Sequence, residues 1–165
     1  MEACVFDSDG KLDKFLGDGV MATFGTPEPG PSDPANALAC ARAMHAAVDE
    51  WNGRRRDAGL PPIRLSVGVH WGRVVLGDIG SERRLEFTVL GDTVNVAARI
   101  EALTRMRDCR VAVSEALVNV LRTSGDPRAG TLLDGFHDAG RQITLGRAEP
   151  VAVWTWGTPV APIPS

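Results

Sequence analysis

The spacing of apolar and polar positions divides the chain into short strands and longer helices. Residues 19–25 form a compact apolar run after a Gly17-Asp18-Gly19 turn, which predicts the second strand of a hairpin. Apolar residues then recur every three or four positions over residues 35–56, the period of a helix. Residues 63–71 alternate apolar and polar side chains, as a strand with one buried face does. The first half of the chain therefore predicts a hairpin, then a helix, and then a strand.

The second half continues with the same two kinds of element. Ser114 stands where it could cap a helix, directly after a short apolar run. The further predicted strands are residues 74–76, 85–90, 111–113, 131–133 and 151–156, and the further predicted helices are residues 93–103 and 115–121. This order predicts an α+β fold with helices on one face of an antiparallel sheet.

Composition narrows the class of protein. The 165 residues suit one domain, and a net charge of -3 argues against a surface built to bind nucleic acid. The three cysteines have no metal-ligand spacing, so we expect reduced thiols. No apolar run approaches the roughly 18 residues of a membrane span. We therefore expect a cytoplasmic protein, with no membrane segment in this chain.

Three polar residues surround the junction between the strand at 85–90 and the helix that follows. Thr88 lies near the strand end, while Asn95 and Arg99 are four residues apart and so share one helix face. A guanidinium one turn from an amide can bind an anionic group through several directed hydrogen bonds. This junction predicts a site for a polyanion.

A second candidate site lies at the first hairpin. Lys14 and Asp18 are four residues apart, and the glycines beside Asp18 would leave its carboxylate exposed. An exposed carboxylate is a suitable ligand for Mg²⁺. By residue type alone, such an aspartate is more often a turn former, and such a lysine more often a solvated side chain.

The two sites together resemble a known family. The segments KFLGDGVMATFG and SVGVHWGRVVLGDIGSERRLEFTVLGDTVNVAARIEALT are similar to the catalytic domain of class III nucleotidyl cyclases, and the likeness runs from about residue 6 to residue 156. It implies the ferredoxin-like cyclase fold. Pairing Lys14 with Thr88 resembles adenylate cyclases, since guanylate cyclases tend to carry Glu and Cys at these places.

The resemblance assigns a role to each candidate residue. It implies that Lys14 and Thr88 read the purine base of ATP, that Asn95 and Arg99 are catalytic, and that Asp18 binds metal. The family uses two Mg²⁺ or Mn²⁺ ions and converts ATP to 3′,5′-cyclic AMP and pyrophosphate for intracellular signal transduction. It works as a dimer with sites at the interface, so we expect a homodimer or a heterodimer with another cyclase domain.

Two places depart from the family pattern. The family's first metal aspartate lies in an upstream Asp-Ile-x-Gly-Phe-Thr segment that this chain does not match. We therefore expect residues 1–156 to be an N-terminally incomplete cyclase domain, without the family's first strand and helices, followed by a Pro-rich tail at 157–165. The place where the family commonly has a Lys or Arg near the C-terminus is here either Leu145 or deleted, and Arg141 and Arg147 stay open as substitutes.

These departures leave two functions open. One is an active adenylate cyclase domain. The other is a catalytically silent domain that binds nucleotide or completes the site of a partner cyclase, because the residues Lys14, Thr88, Asn95 and Arg99 do not depend on the absent aspartate.

Overall fold

The computed structural model describes residues 1–81, 84–142 and 150–158, and for residues 78–81 and 84–88 it describes the backbone alone. Thirteen helices and strands are assigned in these residues. In chain order they are α1 (Glu2–Asp7), β1 (Lys11–Leu16), β2 (Gly19–Thr23), α2 (Asp33–Asp57), β3 (Val67–Val69), β4 (Val75–Ser81), β5 (Arg84–Leu90), α3 (Asp92–Met106), β6 (Val111–Ser114), α4 (Glu115–Thr123), α5 (Ala129–Leu133), β7 (His137–Gln142) and β8 (Val151–Trp156).

The main sheet has four strands in the order β3-β6-β8-β7. β3 pairs parallel to β6, whereas β8 runs antiparallel to both of its neighbours. All four residues of β6 are buried, so both of its faces need apolar cover. The α+β class predicted from the sequence is confirmed, with one difference of detail. Helices pack on both faces of this sheet and not on one.

One face is covered by α2, α4 and α5. Val111 and Val113 of β6 point to this side, where they join Leu38 of α2 and Leu117 and Leu121 of α4 in one buried cluster. Each of these leucines has 1% or less of its surface exposed. Burying a side chain of this size contributes roughly 1.5–3 kcal/mol. This face therefore supplies a large share of the core.

The opposite face is covered by α3. Ala112 of β6 points to this side and packs with Val96, Ile100 and Leu103 of α3 and with Val153 of β8. Ala112 is fully buried at this contact. Because α3 also carries Asn95 and Arg99, this packing sets where those two side chains stand.

Two hairpins lie beside the main sheet. β1 and β2 form one, with a two-residue turn at Gly17 and Asp18 between the paired Leu16 and Gly19. Gly17 has φ +65°, the left-handed backbone that favours glycine. β4 and β5 form the other. Within the described residues, neither hairpin is hydrogen-bonded into the main sheet. The hairpin predicted around Gly17 is confirmed.

Helix α1 was not predicted. Its Val5 is fully buried and packs against Cys40 and Met44 of α2 and against Phe24, just after β2. This contact joins the first hairpin to the long central helix. Burial raises the pKa of the Cys40 thiol to about 11, so this cysteine stays protonated near neutral pH.

Several predicted elements need correction. Residues 131–133 were expected to be a strand but belong to helix α5. Leu132 is buried beside α2, and its carbonyl accepts a hydrogen bond from Arg42 Nε at 3.0 Å, which stabilises the end of a helix. The strand expected over 63–71 is limited to β3, and β7 was missed because its sequence is mostly polar.

Three other expectations concern the chain as a whole. None of the described helices has both the length and the apolar character that a membrane crossing requires. Cys4, Cys40 and Cys109 are free thiols, in agreement with the prediction. The predicted Pro-rich tail lies outside the described residues from 159 onward, as do Leu145 and Arg147.

Candidate nucleotide site

The first hairpin presents Lys14 and Asp18 in different settings. Lys14 lies opposite Met21 in the β1–β2 ladder, and about a third of its side chain is exposed. Asp18 is exposed in the turn. Its carboxylate is therefore accessible to a ligand, whereas the Lys14 side chain lies partly along the protein surface.

Asp13 connects this hairpin to the second one. Its Oδ1 accepts a hydrogen bond from the Val89 backbone N–H at 3.3 Å. Its Oδ2 lies 3.5 Å from Lys14 Nζ, and only 8% of the Asp13 side chain is exposed. Since Val89 directly follows Thr88, this contact brings the strand of Lys14 beside the strand of Thr88.

Thr88 lies in β5, opposite Gly77 of β4. Its side chain is outside the part of the chain that the structure describes, so its role in base reading stays a prediction. After β5, Gly91 turns the chain with φ +130° and α3 begins at Asp92. Such a φ suits a residue without a Cβ. The strand and the helix with the predicted catalytic pair are thus directly joined.

Asn95 and Arg99 occupy α3 as predicted. Asn95 is exposed and Arg99 is half-buried. Between them lies Val96, which packs under the helix with 1% exposure. The buried position between them fixes the rotation of α3 and leaves Asn95 directed to solvent.

The start of α3 is held by a second contact. Thr93 Oγ1 donates a hydrogen bond to the Arg73 carbonyl at 2.5 Å. A Cβ on Gly72 would lie 2.8 Å from the same Thr93 oxygen, so the loop before β4 passes close to the helix. This contact ties the first turn of α3, near Asn95, to the loop that leads into β4.

A small cleft lies between the two hairpins. Its volume is about 150 Å³, and Leu12, Asp13, Leu76 and Val89 are among the residues that line it. Both polar and apolar groups face it. The cleft is thus bounded by the same Asp13–Val89 contact that joins the strands of Lys14 and Thr88.

The described side chains do not complete the metal site expected from the sequence. Among them, no group of three or more His, Cys, Asp or Glu residues is placed to hold a metal ion. Asp18 offers one exposed carboxylate, but Mg²⁺ prefers six oxygen ligands in an octahedron. Its assignment as a metal ligand stays a prediction, and a two-metal centre would need ligands beyond those described.

Sequence reasoning missed Asp13 and Thr93. The signal for Asp13 was a carboxylate within a strand, directly before the lysine of interest. The signal for Thr93 was a hydroxyl in the first turn of a helix, where such groups often bind backbone atoms. Neither partner could be identified without the fold, since Val89 and Arg73 are distant in sequence.

A family model for the adenylate and guanylate cyclase catalytic domain matches residues 9–136, well over half of the chain. This chain belongs to that family. The matched region contains every described element from β1 to α5, including both hairpins and helix α3. The resemblance seen in the sequence is therefore confirmed.

Relatives with assigned names include adenylate cyclases. The chain is 38% identical to an adenylate cyclase of Anabaena cylindrica over 125 residues, covering 73% of this chain and 24% of that protein. It is 36% identical to adenylate cyclase 1 of Rhizobium meliloti over 110 residues, covering 67% of this chain and 16% of that protein. The chain thus spans about a quarter or less of the length of these relatives.

Solved structures of both nucleotide classes share the fold. The guanylyl cyclase Cya2 superposes with a TM-score of 0.74 at 29% identity, covering 95% of this chain and 75% of that chain. The adenylyl cyclase CyaB from P. aeruginosa superposes with a TM-score of 0.77 at 22% identity, covering 99% of this chain and 76% of that chain. The fold is accordingly that of a nucleotidyl cyclase catalytic domain, and it is common to enzymes named for different nucleotides.

Proposed function

We propose that residues 1–156 form an adenylate cyclase catalytic domain that converts ATP to 3′,5′-cyclic AMP and pyrophosphate. The observation that carries this proposal is the Asp13 contact with Val89, which brings the strands of Lys14 and Thr88 together within one chain. The names of the relatives from Anabaena cylindrica and Rhizobium meliloti support the same nucleotide. We further propose that the domain acts in intracellular signal transduction in the cytoplasm.

Base selection would rest on Lys14 and Thr88. Adenine offers an amino donor at N6 beside an acceptor at N1, whereas guanine offers the reverse pattern on the same edge. A lysine ammonium can only donate and a threonine hydroxyl can also accept, so the pair can match adenine. The pair is thus compatible with adenine, and its resemblance to the adenylate cyclase pair, together with the names of the relatives, is our reason for proposing ATP over GTP.

The chemistry would be an in-line displacement at phosphorus. The ribose 3′-hydroxyl releases its proton to water, its oxygen attacks the α-phosphorus to form the P–O bond that closes the ring, and the bond to pyrophosphate breaks. Asn95, exposed on α3, would orient the ribose through its amide. Arg99, one turn further on, would place positive charge where the phosphoryl oxygens gain negative charge. Pre-positioning of this kind needs a rigid helix, and α3 packs on the sheet through buried apolar residues.

A partner domain is the second part of the proposal. Phe15 and Leu16 are 63% and 56% exposed on the hairpin next to Asp18. Exposed apolar side chains of this size are often covered by another protein surface. We therefore propose a homodimer or a heterodimer with another cyclase domain at this hairpin.

An alternative function would rest on the nucleotide-binding half of the site alone. The described residues group no three metal-binding side chains together. The residues proposed for the nucleotide half of the site, Lys14 on β1 and Asn95 and Arg99 on α3, do not depend on such a group. A chain that supplies the nucleotide-binding residues could complete the site of a partner cyclase while being catalytically silent alone. It could equally bind nucleotide without turning it over.

One mixing experiment separates these functions. The 165-residue chain is assayed with Mn²⁺ and either ATP or GTP, alone and with a full-length relative whose counterpart of Arg99 is replaced by Ala. Cyclic AMP from the chain alone supports an autonomous enzyme, and cyclic AMP only from the mixture supports a completing half. No cyclic nucleotide in either case, or a preference for GTP, contradicts the proposed adenylate cyclase activity.

Matched variants test the role of Arg99. Arg99→Ala should lower kcat by about 100-fold or more with little change in KM, because its charge acts mainly in the transition state. Arg105→Ala on the same helix is the control, since Arg105 is 66% exposed and pairs only with Glu101 among the recorded ion pairs of the described residues. An equal loss in both variants would point to a general effect of removing charge from α3.

A further inference from the structure

Strand β1 contains an irregularity at Asp13. The ladder pairs Leu12 with Ala22 and Lys14 with Met21, so Asp13 is an extra residue on one side. A bulge of this kind re-aims side chains and is often found beside functional sites. Here it directs a carboxylate inward, and 8% of that side chain is exposed. Ionised carboxylates are rarely buried to this extent unless they are paired.

Two recorded contacts of the Asp13 carboxylate differ in their chemistry. One oxygen accepts the Val89 N–H at 3.3 Å, which satisfies a backbone donor of β5. The other oxygen lies 3.5 Å from the Lys14 ammonium. A single side chain therefore touches both the lysine and the backbone next to Thr88. It also lines the cleft between the hairpins.

We propose that Asp13 is a positioning residue for base selection. It restrains the Lys14 ammonium by charge and holds β1 against β5 through Val89, so that Lys14 and Thr88 keep a fixed separation. This inference rests on the proposed function, in which those two residues read adenine. Asp13 itself touches no nucleotide, and it acts through Lys14 and the β5 backbone.

The two contacts can be separated by substitution. Asp13→Asn keeps an oxygen that can accept the Val89 N–H but removes the charge next to Lys14. Asp13→Ala removes both. We expect the ratio of kcat/KM for ATP to that for GTP to fall roughly five- to tenfold in Asp13→Asn and further in Asp13→Ala, since a tenfold change corresponds to about 1.4 kcal/mol. Activity is measured with the full chain, in the partner mixture where that is required.

A double-mutant cycle distinguishes positioning from general stability. If Asp13 acts through Lys14, the Asp13→Asn substitution should leave nucleotide selectivity unchanged in a Lys14→Ala background. An effect of equal size in both backgrounds, or equal losses with ATP and GTP, would overturn the proposal. Asp57→Asn, an exposed carboxylate at the end of α2, is the matched control and should behave as wild type.

Hydrogen exchange at the Val89 amide gives a readout that is independent of turnover. Protection of this amide should fall in Asp13→Ala and persist in Asp13→Asn, because only the alanine removes the acceptor. Unchanged protection in Asp13→Ala overturns the positioning role.

If the wild-type chain shows no nucleotide selectivity at all, the proposed function fails. If wild type is selective and Asp13→Asn keeps that selectivity, only the inference about Asp13 fails.

Discussion

Replacing Gly68 by alanine should displace helix α3 from the sheet. Gly68 is the middle residue of β3, and a Cβ there would lie 2.3 Å from the backbone N of Glu101 and 2.8 Å from the carbonyl O of Ala97. Both are main-chain atoms of α3, so no side chain can rotate away to make room. Ordinary contact begins at 3.4 Å, which means that α3 would have to retreat by about 1.1 Å.

The cost of this displacement can be bounded. Overpacking a core by a methyl group typically costs about 1–3 kcal/mol, and a clash with backbone lies at the upper end of that range. About 3 kcal/mol lowers the melting temperature of a protein of this length by roughly 6–12 °C. The contacted residues flank Arg99 on α3. The proposed cyclase activity should therefore fall by more than the loss of folded protein explains, since a shift of 1 Å can cost about 100-fold in rate.

Urea unfolding followed by circular dichroism is the suitable measurement. Gly130→Ala is the control, because nothing lies within 4 Å of a Cβ at this position in α5. It should be neutral or stabilise by about 0.5 kcal/mol, since alanine has the higher helix propensity. If Gly68→Ala unfolds at the wild-type urea midpoint, the close approach of α3 to β3 is refuted, and so is the packing argument for the placement of Asn95 and Arg99.

Two further predictions concern buried polar side chains. The Asn52 side chain accepts a hydrogen bond from the Ile63 N–H at 2.7 Å and donates one to the Ile63 carbonyl at 2.8 Å. Asn52→Ala should therefore lower the free energy of unfolding by about 2 kcal/mol in urea titrations. A urea midpoint equal to that of wild type would mean that water replaces both bonds. Burial, and then the charge of Arg110, lower the pKa of His45. The unfolded chain therefore binds this proton more readily, and stability should decline as pH falls below about 6.5, the ordinary histidine pKa. His45→Gln should reduce that decline, and an unchanged pH profile would contradict the assignment.

The elements with strong periodicity were predictable from the sequence. The helix predicted over residues 35–56 is α2 within a residue or two at each end, because apolar positions recur there through many turns. The cap predicted at Ser114 is also confirmed, since its side chain accepts a hydrogen bond from Leu117 N at 3.3 Å. Such features depend on neighbours in sequence, so a local pattern is sufficient to find them.

Short elements with weak patterns were not predictable. Residues 131–133 contain β-favouring threonine and two leucines, yet their contacts with α2 and Arg42 make them helical. β7 is polar and was missed, although β8 supplies it with a partner along most of its length. In both cases contacts from distant parts of the chain outweigh a local preference that amounts to a fraction of a kcal/mol per residue.

The candidate site also combines features that the sequence predicts with features that only the fold determines. Residue type, spacing and resemblance were enough to predict Lys14, Asp18, Thr88, Asn95 and Arg99 as site residues, before any contact was known. Only the tertiary structure could show that Asp13 contacts Lys14 and that Arg73 contacts the first turn of α3. The bulge that turns Asp13 toward Val89 joins residues 76 positions apart. Covering both faces of the buried β6 likewise requires α3 opposite α2. The sequence by itself determines which chemical groups the chain carries. The distances between those groups depend on packing between distant segments, so only the tertiary structure decides them.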